Sequence, residues 1–104
     1  MEINITSKEQ YLEYVGKPRV LIDFNAKWCG PCRMLTPVLE EIAEEDDNLF
    51  ILKIDTDLLP DLAQEYNVSS IPVLFYLIDG KIVGSSLGFM TKPELERIIK
   101  DKLG

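Results

Sequence analysis

Apolar residues recur along the chain with two periods, and the changes between them outline a succession of strands and helices. Ile3 and Ile5 alternate with polar neighbours, the two-residue period of a short edge strand. Ser7 and Gln10 have capping-box spacing; Tyr11, Leu12 and Val15 then share one helical face, and Gly16 suits the stop. Residues 19–25 carry Val20-Leu21-Ile22, then Asp23 and Phe24, a nearly continuous apolar run typical of a strand covered on both faces. Over 29–45, Leu35, Val38, Leu39, Ile42 and Ala43 form a helical stripe, with Pro37 expected to kink it. Residues 49–55 read as the next strand, and Asp57 is placed to cap a short helix with Leu59, Leu62 and Tyr66 inward. Two further strands, 73–78 and 81–87, flank Asp79-Gly80, a pair that closes tight hairpins. Thr91 with Glu94 is a second capping box, opening a last helix with Leu95, Ile98, Ile99 and Leu103 inward.

The order is therefore βαβαβαββα. Helices long enough to cross between strands imply parallel pairing early, and the late hairpin adds an antiparallel edge. The predicted fold is α/β: a three-layer α/β/α sandwich with a mixed five-stranded sheet flanked by four helices. No repeat, low-complexity stretch or linker composition interrupts it, so residues 1–104 are expected to form a single domain.

Composition narrows the function. A chain of 104 residues and 11.9 kDa should keep roughly 6,000 Å² of accessible surface, enough folding to bury a core without metals or staples. Eleven basic against 18 acidic residues give a net charge of −7, which repels phosphate backbones and anionic lipid. Neither nucleic acid nor membrane is expected as a partner. The longest apolar run, residues 71–78, is far short of the roughly 20 residues that span a bilayer. Met1-Glu2-Ile3-Asn4 has neither the basic start nor the apolar stretch of a secretory signal, so a cytoplasmic location is expected. The chain has no His, which removes His-dependent triads and most zinc ligation.

The only two cysteines, Cys29 and Cys32, lie where the buried strand gives way to a helix. The free N–H groups and positive dipole end of that helix favour an anion at its first residue, where Cys29 is expected. Its thiolate should be stabilised; an ordinary thiol is only about 3% ionised at neutral pH. Cys32, one turn later, is near enough for a disulfide and expected to be better shielded. Gly30-Pro31 keeps the turn tight while allowing the helix to start. These features suit two-step thiol–disulfide exchange. A half-site for zinc shared between two chains, each giving two Cys, is the competing reading.

The segment Leu21-Ile22-Asp23-Phe24-Asn25-Ala26-Lys27-Trp28-Cys29-Gly30-Pro31-Cys32 resembles the active-site segment of the thioredoxin family. Ser70-Ile71-Pro72-Val73 is similar to its second signature, and Asp79-Gly80 and Gly88 fall at the expected distances beyond. The spacing of the two Cys beside a βαβ pattern is itself a recognised mark of such redox sites. The resemblance implies that Cys29 attacks a target disulfide and Cys32 resolves the mixed disulfide. It implies that Asp23, whose burial should raise its pKa, exchanges a proton with Cys32 through water. Lys53 matches the family's Lys beside that Asp. Pro72 is implied to follow a cis bond that presents the Ile71 backbone to an extended substrate segment. Trp28, Gly30, Pro31, Ile71, Pro72, Val73, Gly88 and Phe89 would then form a substrate-binding collar, Gly88 letting a substrate backbone come close. The chain departs from the family pattern at Asn25, where a second Trp is usual, at Ser70, at Val73 and at Leu58-Leu59.

The resulting expectation is a protein-disulfide reductase with no bound cofactor, since no Gly-rich dinucleotide turn is present. Its partners would be disulfide-containing client proteins and a separate thioredoxin reductase, NADPH- or ferredoxin-linked, and a monomer is the default for this architecture. An oxidase or isomerase on the same fold, and a binding module that uses only the collar, are the alternatives.

Overall fold

The computed structural model describes residues 1–104. Its elements are β1 (Glu2–Asn4), α1 (Lys8–Val15), β2 (Val20–Asn25), α2 (Gly30–Glu45), β3 (Phe50–Asp55), α3 (Pro60–Glu65), β4 (Val73–Ile78), β5 (Lys81–Leu87) and α4 (Lys92–Leu103). This is the order expected from the hydrophobic periods. The accessible surface, 5826 Å², also matches the mass-based expectation.

The strands lie in the order β1-β3-β2-β4-β5. β1 and β2 both pair parallel with β3, while β4 is antiparallel to β2 and to β5. The antiparallel part thus begins in the middle of the sheet, against β2, and not only at the hairpin edge. The chain leaves β2 for β3 on one side and later returns to β4 on the other. The carboxyl end of β2 is therefore the point where the winding reverses, which is where open α/β sheets hold their reactive groups.

Alternation along β2 sends successive residues to opposite faces. Val20, Ile22 and Phe24 join Tyr11 of α1 and Leu62 of α3 in one core; Leu21 joins Leu35 and Leu39 of α2 and Leu95 of α4 in the other. Asp23 and Asn25 lie on the α2 face by the same alternation. Helical packing on both sides leaves β2 buried throughout except at Asn25. The Asp79-Gly80 turn has positive φ at both residues, 50° and 82°, the geometry of a two-residue hairpin that Gly adopts freely and Asp tolerates.

Several expectations change in detail. Leu12 is exposed, because the eight-residue α1 buries only Tyr11 fully. Gln10 reaches past the N-cap: Ser7 does cap the Gln10 N–H, but the Gln10 side chain accepts from the Thr6 N–H. Asp57 does not cap α3, which starts on Pro60 after Leu59 with no side-chain cap. α2 is helical without interruption through Pro37. The Thr91–Glu94 box, by contrast, forms in full.

Candidate active site

Cys29 is the N-cap of α2 (φ −85°, ψ 112°), one residue before the helix proper. It keeps the advantage expected of the first residue, since the open N–H groups of the first turn still face it. Its Sγ accepts the Cys32 N–H at 3.2 Å. Pro31 fits in this turn because its missing N–H has no helical acceptor to lose. Cys29 and Cys32 are joined by a disulfide, with Cα atoms 5.3 Å apart. Ala26 and Ile71 pack against the pair. Exposures of 5% and 6% leave the two cysteines equally covered in this state, so the expected better shielding of Cys32 is not seen.

The segment before β4 closes on the pair from the other side. The Ile71–Pro72 bond is cis, as the resemblance implied, and the Ile71 carbonyl oxygen lies 3.9 Å from Cys29 Sγ. Pro72 is buried, and its carbonyl accepts the Gly88 N–H at 2.8 Å. Gly88 has φ +83° with open space where a Cβ would project, so the backbone requires glycine and leaves that surface clear. Trp28, Gly30, Pro31, Ile71, Gly88 and Phe89 are all at least partly exposed around the disulfide's end of the sheet. Val73 departs from the expected collar. Its side chain is buried in the core with Phe24 and Leu77, because β4 has by then entered the sheet.

Trp28 is 69% exposed, yet its indole Nε1 donates to Asp57 Oδ2 at 2.9 Å. This is the work Asp57 does instead of capping α3. No sequence signal links two residues 29 positions apart in this way. Beneath the indole is a cleft of about 380 Å³, lined by Trp28, Thr56, Ala63, Val68, Ser70 and Ile71 among others.

The one buried charged residue is Asp23, 3% exposed, on the face of β2 that packs toward α2. Burial pushes its carboxyl up to about 6, against the opposing pull of the Lys53 charge and an Asn25 hydrogen bond. Oδ1 has no hydrogen-bond partner. Lys53 is the register partner of Asp23 on β3, and its Nζ also stands 3.7 Å from Glu2 Oε2 on β1. A cavity of about 220 Å³ brings Cys32, Asn25 and Lys53 to solvent, with Lys27, Arg33 and Thr36 at its walls. Arg33 donates to the Lys27 carbonyl at 2.7 Å and so ties the loop before Cys29 to α2. Glu2 and Asn25 as neighbours of the Asp23–Lys53 pair were not anticipated from sequence. The register that brings them together arises only once the strands pair.

The family model described as Thioredoxin matches residues 2–101. The chain belongs to the thioredoxin family. It is 46% identical over 97 residues to a thioredoxin of Chlamydia trachomatis serovar D, covering 93% of this chain and 95% of that protein. A thioredoxin of Bacillus subtilis is 48% identical over 85 residues, 81% of this chain and 82% of its own. Among solved structures, a mutant thioredoxin from Halobacterium salinarum superposes with a TM-score of 0.91 at 32% identity, covering 99% of this chain and 91% of that one. A thioredoxin from Nicotiana alata also gives 0.91, at 31% identity, covering 99% and 93%. The α/β/α fold is thus that of thioredoxin, and the chain is a thiol–disulfide oxidoreductase whose Cys29–Cys32 pair is its redox-active disulfide.

Proposed function

We propose that this thioredoxin-family chain works as one domain, residues 1–104, that reduces disulfides in other proteins. In the dithiol form the Cys29 thiolate attacks one sulfur of a client disulfide. A Cys29–client bond forms, and the first client thiolate leaves. Cys32 then gives its proton through water to Asp23 and attacks Cys29 Sγ. The internal disulfide forms, and the second client sulfur leaves and takes up a proton. Two electrons have passed from the protein to the client, leaving the state seen here. Lys53 holds the ionised form of Asp23 within reach at working pH.

The client would lie across Trp28, Gly30, Pro31, Ile71, Pro72, Gly88 and Phe89, with the Ile71 backbone pairing to an extended segment. Val73 contributes its backbone and core packing rather than its side chain. A separate thioredoxin reductase, NADPH- or ferredoxin-linked, would restore the dithiol, and the reaction belongs in a reducing compartment such as the cytoplasm. No helix is long and apolar enough to cross a membrane.

The observation that carries this reading is a disulfide at the N-cap of α2 with a buried carboxyl of raised pKa on the face of β2 toward α2. The test is equilibration of Cys29–Cys32 with a dithiol redox buffer. A reduction potential below the cytosolic glutathione poise, roughly −220 to −260 mV by extraction, is the result expected of a reductant. A potential above it would make the chain an oxidant or isomerase and remove the argument for a cytoplasmic site.

A further inference from the structure

We propose that Asn25 is a positioning residue of the exchange: its amide fixes the Asp23 carboxyl from the solvent side and leaves one carboxyl oxygen free to trade a proton with Cys32. This rests on the reading of Asp23 as the proton partner of Cys32. Asn25 ends β2 two residues after Asp23, so alternation puts both side chains on the α2 face. Its Nδ2 donates to the Asp23 carbonyl at 3.1 Å and to Asp23 Oδ2 at 3.2 Å. Both neighbours are acceptors, so only the NH₂ end of the amide fits there. Holding the backbone and the carboxylate of one residue together removes the freedom of the carboxyl to turn. Oδ1 is left buried and without a partner.

No other side-chain hydrogen bond reaches this carboxylate. β3 faces it with Lys53, and β1 adds Glu2 beyond Lys53. β4 opposes it with apolar Leu74, while Cys32 and Arg33 of α2 and Lys27 of the preceding loop line the cavity that Asn25 and Lys53 also reach. Asn25 lines that cavity and a second one of about 260 Å³ toward Thr6 and Leu58; Lys53 lines both as well, and Asp23 lines neither. The hydrogen-bond partner and the register partner of Asp23 thus both border these cavities, while Asp23 itself stays behind them. A neutral amide holds the carboxyl in the same way at every working pH, which a titrating group in that place would not do.

The test uses Asn25→Leu, close in size but without the donor, and Asn25→Ala in case the first folds poorly. In the oxidised protein, where neither Cys titrates, the carboxyl carbon of Asp23 is followed by NMR against pH. Separately, reduced protein is mixed with a small aromatic disulfide, and the second burst of aromatic thiolate reports resolution by Cys32. Losing a hydrogen bond to the ionised carboxylate should raise the Asp23 midpoint by on the order of one pH unit. The second burst should then slow about fivefold at pH 6 and hardly at all at pH 8. An Asp23 midpoint unchanged in both variants overturns the proposal. So does a midpoint that moves while the pH profile of the second burst stays put. Asp23→Asn, run alongside, assigns the failure: if it leaves that profile unaltered too, the proton role of Asp23 has failed; if it alters the profile, only the Asn25 role has.

Discussion

Replacing Asp23 by Asn should stabilise the oxidised protein at neutral pH and leave it unchanged in acid. The carboxyl titrates near 6 in the fold against 3.8 unfolded, with burial as the main cause. A folded pKa above the unfolded one means that the native state holds the proton more tightly. The contribution of Asp23 to stability is then fully present below about pH 3.8 and falls away as pH rises to about 6. At 1.36 kcal/mol per unit, that interval corresponds to roughly 3 kcal/mol lost by the wild type by pH 7. An amide at the same position carries no charge to desolvate and can still accept from Asn25. It brings an NH₂ group with no acceptor waiting, so roughly 3 kcal/mol is an upper limit. In a domain of this size even half of it raises Tm by about 6–12 °C. Urea denaturation of both proteins, followed by far-UV circular dichroism at pH 4, 6 and 8, reads the effect directly. The gain should be smallest at pH 4, about 0.5 kcal/mol, and grow to its plateau by pH 8. An equal gain at all three pH values would show that packing, not charge burial, is responsible. A loss at pH 8 would refute the burial argument altogether.

Two smaller perturbations probe the collar. Asp57→Ala removes the acceptor of the Trp28 indole and should lower kcat/KM for a disulfide-bonded client by about threefold, the worth of a modest hydrogen bond. Because Asp57 is exposed, urea midpoints should stay within about 0.5 kcal/mol of wild type; unchanged client kinetics would mean that the indole holds its position unaided. Gly88→Ala meets no neighbouring atom but must keep φ near +83°, so it should destabilise by about 1–2 kcal/mol in urea. A loss of only a few tenths would show that the segment after β5 can change its backbone without disturbing the Gly88–Pro72 bond.

What could be read from the sequence was local. The hairpin turn at Asp79-Gly80, the Thr91–Glu94 box and the doubly buried β2 depend on residues within a few positions of one another, and each forms as its spacing predicts. What escaped depends on which distant groups come close. Leu12 follows Tyr11 directly, about 100° round the helix from it, and the face of α1 that packs on the sheet is centred on Tyr11, so Leu12 is left in solvent. Asp57 has a good capping side chain, and the indole of Trp28 takes it. Val73 adjoins the cis peptide in sequence, yet strand alternation turns it into the core.

The same contrast explains why Asp23 stood out while Glu2 and Asn25 did not. A carboxylate inside a run of apolar residues contradicts local preference, and such contradictions concentrate where function requires them. Lys53, Glu2 and Asn25 break no pattern in their own segments, since each is a polar residue at a partly open strand position. Only the family resemblance pointed to Lys53; parallel register sets it beside Asp23, and the end of β2 turns Asn25 back over the carboxyl. The carboxyl, its burial and, through the family resemblance, Lys53 were therefore visible from sequence, but Asn25 and Glu2 as its neighbours were not. Burial raises the proton affinity of that carboxyl, and Lys53 and Asn25 pull it back, so the final balance depends on contacts that no single segment carries.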